Sequence, residues 1–378
     1  MDAHRTPDAT GSVTRLFLCG DVMPGRGIDQ ILPYPSRPPL YEPCVRDARE
    51  YVTLAEAVNG PLPRDAGFGY VWGDALDELR QQSPQLRLVN LETSITTAED
   101  YWRGKGINYR MHPGNTPLLT AAGIDGCVLA NNHVLDWGYT GLSETLGSLH
   151  MADVVAIGAG RDAASARRPE VFAVSGGRRV IVSAWGDESS GIPPEWAARD
   201  ERPGVAFLPD LSSASVDLVA REVGAVRGPG DTVVVSLHWG GNWGYRVPDA
   251  QIRFARALID RAGVDVVHGH SSHHPRPIEV YKGRLILYGC GDLLNDYEGI
   301  HGHEAFRGDL ALMYFIDLDR ADGRLRGLTM CPMRIAGFRL NRVDDADAQW
   351  LRRLLHRIGE PFHTDAELTR TGLLRLIW

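Results

Sequence analysis

Five short clusters of histidine, carboxylate and amide residues stand out along this chain of 378 residues. Such side chains can bind a divalent metal ion, and imidazoles can also move protons near neutral pH. Each cluster follows directly on a run of apolar, β-branched residues, which predicts that its polar side chains lie at the end of a β-strand. Strand ends are where α/β folds gather polar groups around a ligand. The clusters are Gly20-Asp21, Asn90-Leu91-Glu92, Asn131-Asn132-His133 with Asp136, His238-Trp239-Gly240, and Gly269-His270-Ser271-Ser272-His273-His274.

Carboxylates supply the first two candidate ligands. Asp21 and Glu92 could each bind a metal ion, or either could instead cap the turn after its strand. Asn132 and His133 end a third run, and a buried strand rarely ends in such a group without a functional reason. Asp136 could accept the imidazole N–H of His133 and fix its tautomer. An Asx turn at the start of the next helix is the alternative for this cluster.

Histidines end two further apolar runs. A single histidine is more often a packed or surface residue, but His238, His270 and His273 together favour metal ligands or proton carriers. His268 lies inside its run and is a weaker candidate. Asp292 ends another run and could orient a histidine, or it could simply belong to a turn.

Aromatic residues and glycines follow His238 directly. The segment has too many glycines for the interior of a strand or a helix, although core packing accounts for many tryptophans. We therefore expect Trp239, Asn242, Trp243 and Tyr245 to form a wall for a large or aromatic substrate.

The bulk composition narrows the class of protein. The chain carries 40 Lys and Arg against 48 Asp and Glu, a formal charge of −8, which argues against binding to nucleic acid or an anionic membrane. No apolar run reaches the roughly 18–20 residues that span a bilayer. Residues 1–12 lack the pattern of a signal peptide, and the five cysteines show no paired spacing. We therefore expect a cytoplasmic protein without a nucleic-acid or membrane partner.

Alternating strands and helices must position the five clusters. Helical patterns over 141–151 and 248–262 separate apolar runs and predict an α/β domain with a largely parallel sheet. The predicted strands are 14–19, 86–89, 126–130, 154–157, 179–184, 232–237, 264–268 and 284–288.

The pattern changes toward the C-terminus. Runs over 310–319 and 324–335 predict a hairpin, and a helix over 345–358 is expected to stop at Gly359. The expected organisation is a flexible N-terminus over 1–12, one domain over 13–320, and a C-terminal hairpin-plus-helix extension over 321–378 packed on the same domain.

In the order of its clusters the chain resembles the CapA-like proteins of poly-γ-glutamate capsule synthesis, relatives of the calcineurin-like metallophosphoesterases. The match extends from about Leu16 to Phe315 and begins with Gly20-Asp21-Val22-Met23. The resemblance implies an α/β (α+β) fold, a calcineurin-like β-sandwich flanked by helices, with a divalent-metal site where strand ends converge. Metallophosphoesterases usually begin with an Asp-x-His motif. Met23 stands in place of that histidine, so we expect a weakened two-metal centre.

The chain also looks similar to CapA-like epimerases of lasso-peptide pathways. These enzymes invert the C-terminal residue of a peptide, and inversion needs an acid/base group on each face of Cα. The candidate pairs are His133 with Asp136 and His273 with Asp292. The resemblance thus implies a metal-dependent epimerase that inverts a C-terminal, aromatic residue of a ribosomal lasso precursor peptide.

Removal of the Cα hydrogen beside a carboxylate builds negative charge on the carboxylate oxygens. A bound cation would stabilise that charge. Oxygen ligands from Asp21, Glu92 and Asn132 would favour calcium, magnesium or manganese. Direct ligation by His238 and His270 would shift the preference toward manganese or zinc.

The same residues permit two other functions. A phosphoesterase or amide hydrolase of poly-γ-glutamate or cell-surface polymer metabolism would use the metal ion to activate water. A non-catalytic module would instead bind a peptide or an anionic polymer. The leading hypothesis is the epimerase, with a peptide substrate as partner. The sequence does not determine the oligomeric state.

Overall fold

The computed structural model describes residues 13–378, so the flexible terminus predicted over 1–12 lies outside the described residues. Within this range, every helix is too short or too polar to cross a bilayer. The strands are β1 (Val13–Val22), β2 (Leu86–Leu91), β3 (Ser94–Ile95), β4 (Arg110–Met111), β5 (Gly126–Val128), β6 (Val155–Ile157), β7 (Ala159–Gly160), β8 (Glu170–Val174), β9 (Arg178–Gly186), β10 (Gly204–Val205), β11 (Thr232–His238), β12 (Val266–His270), β13 (Ile278–Tyr281), β14 (Arg284–Leu287), β15 (Asp292–Leu294), β16 (Leu310–Asp319), β17 (Leu325–Ile335), β18 (Leu340–Arg342), β19 (Asp365–Leu368) and β20 (Leu374–Ile377). The α-helices are α1 (Arg49–Asn59), α2 (Ala75–Gln82), α3 (Pro117–Ala121), α4 (Gly138–Met151), α5 (Ala163–Arg167), α6 (Ser213–Gly224), α7 (Asp249–Ala262) and α8 (Asp345–Gly359).

Most strands belong to two large sheets. The first has ten strands in the order β19-β20-β17-β16-β1-β2-β5-β6, with β15 also paired to β1 and β18 to β17. The second has six strands in the order β13-β14-β12-β11-β9-β8. Each sheet has a parallel part, formed by β1, β2, β5 and β6 in the first and by β9, β11, β12 and β14 in the second. The strand pattern predicted a single sheet, whereas the β-sandwich flanked by helices that the resemblance implied is confirmed.

Alternating side chains in β11 explain how the second sheet is covered on both faces. Val234 joins the apolar core that the two sheets share. Val233 and Val235 belong to a second core, which includes residues of α6 and α7. The same alternation turns Ser236 and His238 toward the first sheet, so two polar side chains enter the sandwich near the end of the strand.

Backbone segments approach closely at the end of β1. A Cβ atom on Gly20 would lie 1.6 Å from the carbonyl oxygen of Gly291, so only glycine fits there. Asp21 N donates to the same Gly291 oxygen at 3.0 Å, and Asp21 pairs in register with Asp292 of β15. The sequence pattern placed Asp21 just beyond the strand. Pairing with β15 extends β1 past it, so Asp21 lies inside the strand.

The C-terminal segments complete the first sheet. The predicted hairpin is confirmed, because β16 and β17 pair antiparallel along their length. The helix α8 begins at Asp345 as predicted but includes Gly359 instead of stopping at it. Glycine serves a different purpose there, since a Cβ atom would lie 2.3 Å from the carbonyl oxygen of Thr364. The domain boundary expected at residue 320 stays a prediction, and the hairpin spans it.

Candidate metal and acid–base site

The first sheet contributes carboxylates and amides that hold one another in place. The register of β1 and β2 sets Asp21 beside Asn90, whose Nδ2 donates to Asp21 Oδ1 at 2.7 Å. Asn131 Nδ2 in turn donates to Asn90 Oδ1 at 3.1 Å. Glu92 is 2% exposed, its carboxyl group lies against that of Asp21, and no N–H or hydroxyl group among residues 13–378 donates to its Oε2. A buried carboxylate oxygen in that position is costly unless a ligand such as a cation binds it.

The second sheet brings two histidines to the same place. His238 of β11 pairs in register with His270 of β12, and their Nδ1 atoms lie 2.8 Å apart. His238 Nε2 lies 3.1 Å from Asn132 Oδ1 and 3.8 Å from Glu92 Oε1. Across the sandwich, Asp21 Oδ1 lies 3.9 Å from His270 Nδ1. We refer to these five residues as the donor cluster: Asp21, Glu92, Asn132, His238 and His270.

The donor cluster fits a divalent metal ion. Ligand atoms of Asp21, His238 and His270 all lie within 4.8 Å of one another. The same holds for Asp21, His273 and Asp292, which gives a second group of candidate ligands that shares Asp21. Mixed imidazole and carboxylate donors are compatible with a divalent metal ion, and the choice among calcium, magnesium, manganese and zinc stays a prediction.

Burial governs the protonation of the donor cluster. Burial and the nearby Asp292 carboxylate raise the pKa of Asp21 to about 7, and burial raises the pKa of Glu92 well above its ordinary value. Burial likewise lowers the pKa values of His238 and His270. All four shifts favour neutral side chains, and unprotonated imidazoles are the form that binds metal ions.

His133 forms the first acid–base pair beside this cluster. Its Nδ1 lies 2.6 Å from Asp136 Oδ2, and its Nε2 lies 3.7 Å from Glu92 Oε1. The backbone N–H of Tyr109 also donates to Asp136 Oδ2, at 2.6 Å. Lys105 Nζ lies 2.6 Å from Asp136 Oδ1 and 2.8 Å from His133 Nδ1. Burial lowers the pKa of His133 to about 4, although Asp136 opposes that shift.

His273 forms the second pair, on the loop after β12. Its Nδ1 lies 2.9 Å from Asp292 Oδ1, and its Nε2 lies 3.1 Å from Asn242 Nδ2. Asn295 Nδ2 donates to the other oxygen of Asp292 at 2.8 Å. Burial alone would lower the pKa of His273, but the Asp292 carboxylate outweighs it and the pKa is raised. Both histidines therefore contact the carboxylates proposed from the sequence, while their catalytic roles stay a prediction.

Residues 15–297 match the family model described as "Bacterial capsule synthesis protein PGA_cap". The chain belongs to this family, as the resemblance implied. A probable polyglutamine synthesis accessory protein of Mycobacterium tuberculosis (strain ATCC 25618 / H37Rv) is 50% identical over 366 residues, which cover 97% of this chain and 96% of that protein. The PGA biosynthesis protein CapA of Bacillus subtilis (strain 168) is 29% identical over 208 residues, 55% of this chain and 52% of that one. Among solved structures, a novel phosphatase of Mycoplasma pneumoniae is similar with a TM-score of 0.45 and 11% identity, covering 89% of this chain and 96% of that one.

Met23 departs from the Asp-x-His motif in this PGA_cap protein. Its side chain is fully buried, and its Sδ accepts a hydrogen bond from the Tyr297 hydroxyl at 3.7 Å. His273 and Asp292 nevertheless place an imidazole and a carboxylate beside Asp21. Weaker metal binding because of Met23 stays a prediction, and these two side chains are the candidates to compensate for it.

Three of the four residues predicted to line a substrate wall lie beside His273 or the adjacent His274. Trp243 is half-buried, with its ring centroid 5.4 Å from that of His273. Asn242 is exposed and contacts His273 directly. Tyr245 is half-buried and packs edge-on against the neighbouring His274. These three residues of the PGA_cap protein are therefore accessible beside the histidines, and their role as a substrate wall stays a prediction.

Trp239 does not lie with these three residues. It is 2% exposed and lies in the core beneath the outer helices, where its ring packs against Phe254 of α7. Its Nε1 donates to the Tyr288 carbonyl at 3.1 Å. Because Trp239 comes one residue after His238, it faces the opposite side of the sheet, and the substrate-wall prediction is wrong for this residue.

Sequence reasoning overlooked Lys105 and Ser236 and gave too little weight to His268. Lys105 is one of only two lysines in the chain and stands between glycines, which was the available signal. Ser236 and His268 each precede a donor-cluster histidine by two residues, and a spacing of two puts side chains on the same face of a strand. That periodicity within an otherwise apolar run was the signal for both.

Proposed function

We propose that this protein is a metal-dependent hydrolase that cleaves amide bonds in a glutamate-rich peptide or polymer. The observation that carries the proposal is the convergence of the donor cluster from two sheets around Glu92, whose Oε2 accepts no hydrogen bond from an N–H or hydroxyl group among residues 13–378. The substrate class is supported by the family description, capsule synthesis, and by relatives named for polyglutamine synthesis and PGA biosynthesis. These polymers are joined by amide bonds.

The residues of the site can divide the work of amide hydrolysis. A divalent ion held by the donor cluster would polarise the amide carbonyl and make a bound water more acidic. His133, oriented by Asp136, can accept a proton from the attacking water at Nε2. His273, oriented by Asp292, can donate a proton to the departing nitrogen. The C–N bond breaks, a C–O bond forms from water, and the products are a carboxylate and an amine.

Hydrolysis is tested directly by oxygen-18 water. The protein is stripped with a chelator, reloaded with Mn²⁺, Zn²⁺, Mg²⁺ or Ca²⁺, and incubated with γ-glutamyl oligomers. We expect each cleavage to place one oxygen-18 atom in the new carboxylate, as measured by mass spectrometry. Asp260→Asn, a change on the distant helix α7, serves as the control that retains activity. Absence of cleavage with all four metals would contradict the proposal.

Peptide epimerisation is the second candidate, and one observation favours it specifically. The two histidines each have their own carboxylate, and His133 borders Glu92 whereas His273 borders Asp21. Such an arrangement suits proton removal on one side of Cα and delivery on the other. Incubation in heavy water with a lasso precursor peptide that ends in an aromatic residue would incorporate deuterium at Cα without cleaving the chain. Cleavage without exchange would instead support the hydrolase.

A further inference from the structure

A buried row of polar side chains connects the backbone of β1 with the donor cluster. His268 Nε2 lies 2.7 Å from the carbonyl oxygen of Cys19. Ser236 Oγ lies 3.0 Å from His268 Nδ1 and 2.8 Å from His270 Nε2. Ser236, His268 and His270 are all fully buried. Ser236 thus contacts the donor-cluster residue His270 at Nε2, and His268 contacts Ser236 in turn.

The sheet register builds this row. In the parallel pairing of β11 with β12, Ser236 stands beside His268 and His238 stands beside His270. All four side chains lie on the inner face of the sheet, because they are two residues apart along each strand. The first sheet supplies the carbonyl of Cys19, so both halves of the sandwich contribute to the arrangement.

Donor and acceptor rules determine where each proton lies. A backbone carbonyl can only accept, so His268 Nε2 must carry a hydrogen. Within the described residues no carboxylate contacts His268, and a fully buried ring without one is neutral, which leaves Nδ1 as an acceptor. The Ser236 hydroxyl must therefore donate to His268 Nδ1 and accept from His270 Nε2.

The last step concerns the metal-facing nitrogen of His270. A neutral imidazole with its hydrogen on Nε2 has a lone pair on Nδ1. That Nδ1 is the atom that lies 2.8 Å from His238 Nδ1 and 3.9 Å from Asp21 Oδ1. The row therefore presents a lone pair, and not an N–H group, to the donor cluster.

We propose that Ser236 and His268 are positioning residues that hold His270 in the tautomer able to bind a metal ion through Nδ1. The inference rests on the metal-dependent function proposed above, and it identifies the groups that prepare the site before metal binds. Residues that orient metal ligands in this way typically change metal affinity by about 10–100-fold when they are removed.

The tautomer is measured in the metal-free protein by NMR of nitrogen-15-labelled histidine, with His270→Gln used to assign the signal. We expect the hydrogen of His270 on Nε2 in the wild type and a mixture of tautomers in Ser236→Ala. A hydrogen on Nδ1 in the wild type would overturn the proposal. The readout does not depend on activity or on a bound metal.

Metal affinity is measured in parallel by calorimetric titration with Mn²⁺. We expect Ser236→Ala to bind about 10–100-fold more weakly and Ser236→Thr, which keeps the hydroxyl, to remain near wild type. Ser183→Ala is the matched control, because Ser183 is also buried in the second sheet but contacts Trp185 instead of a histidine.

The outcomes separate this inference from the proposed function. Equal Mn²⁺ affinity in the wild type and Ser236→Ala would overturn the positioning role while leaving a metal site. If the wild type binds none of the four divalent ions, the proposed function fails, and the NMR spectrum still decides the tautomer. If Ser236→Ala does not fold, Ser236→Thr and the wild-type spectrum decide.

Discussion

Two clusters of buried charge in this fold are built in opposite ways. In the first, which we call the arginine cluster, Arg26 Nη1 lies 3.1 Å from Glu42 Oε1 and Nη2 lies 2.5 Å from Asp296 Oδ1. The Tyr51 hydroxyl donates to Glu42, and the guanidinium lies 3.9 Å from the centre of the Tyr51 ring. All three charged side chains are at most 4% exposed. Both carboxylates of the arginine cluster therefore contact a cation of the protein itself.

The donor cluster has the opposite arrangement. In the described chain, the ion-pair contacts of Asp21 and Glu92 are with histidines, and each of those contacts exceeds 3.6 Å. Lys105 is close by but pairs with Asp136. Buried charge that supports a fold is paired internally, whereas charge that serves binding or catalysis is left for a ligand. Substitution of Asp by Asn in each setting tests this difference.

The largest effect is expected from Asp21→Asn, because both groups of candidate ligands share this carboxylate. We expect glutamyl-amide hydrolysis and Mn²⁺ affinity each to fall by at least about 100-fold, the upper end of what loss of an orienting residue causes. The free energy of unfolding of the metal-free protein should stay the same or rise, because the change removes a buried carboxyl group whose charged form is disfavoured by burial and by the nearby Asp292 carboxylate. Rate assays, calorimetry and urea unfolding measure the three quantities. Wild-type Mn²⁺ affinity in this variant would remove Asp21 from the site.

Asp296→Asn should reduce stability and leave metal affinity unchanged, the opposite of Asp21→Asn. It removes the carboxylate that accepts from Arg26 Nε and Nη2 and from the backbone N–H of Gly27. We expect the free energy of unfolding to fall by about 3 kcal/mol, because a buried guanidinium loses its bidentate partner. Mn²⁺ affinity of the folded protein should remain near wild type. Urea unfolding and calorimetry check both, and a stable Asp296→Asn variant with lost metal affinity would reverse the comparison.

The stabilisation that Mn²⁺ binding gives the folded protein should also distinguish the two clusters, by a smaller effect. A ligand that binds only the folded state at 100 times its Kd adds about 2.7 kcal/mol of stability. We expect Mn²⁺ to raise the melting temperature of the wild type and of Asp296→Asn by similar amounts and to change that of Asp21→Asn only slightly, because a 100-fold weaker site gains at most about 0.4 kcal/mol at the same Mn²⁺ concentration. Thermal unfolding with Mn²⁺ and with chelator measures the shift. An equal shift in Asp21→Asn would show that the ion binds elsewhere.

Strand-end chemistry was the part of the site that the sequence could reveal. Asp21, Glu92 and His238 interrupt or end apolar runs, and local patterning alone brings that out. The division into two sheets followed only from the family resemblance and not from the strand pattern, because β1 and β11 have similar local patterns and their partners are distant in the chain. Lys105 could not be predicted either, since it comes from a segment without periodicity and reaches Asp136 only through the fold.

The smallest effect is expected from Asp260→Asn. This change alters a surface ion pair, Lys282–Asp260, whose length is similar to that of the buried Arg26–Asp296 pair. Asp260 lies 2.6 Å from Lys282, but the side chains of Lys282 and Asp260 are 62% and 36% exposed. Water and salt screen such a pair, so we expect the free energy of unfolding to change by no more than about 0.5 kcal/mol, and by less at high salt. Urea unfolding at low and high ionic strength provides the measurement. A cost equal to that of Asp296→Asn would mean that pairing alone, and not burial, gives the arginine cluster its importance.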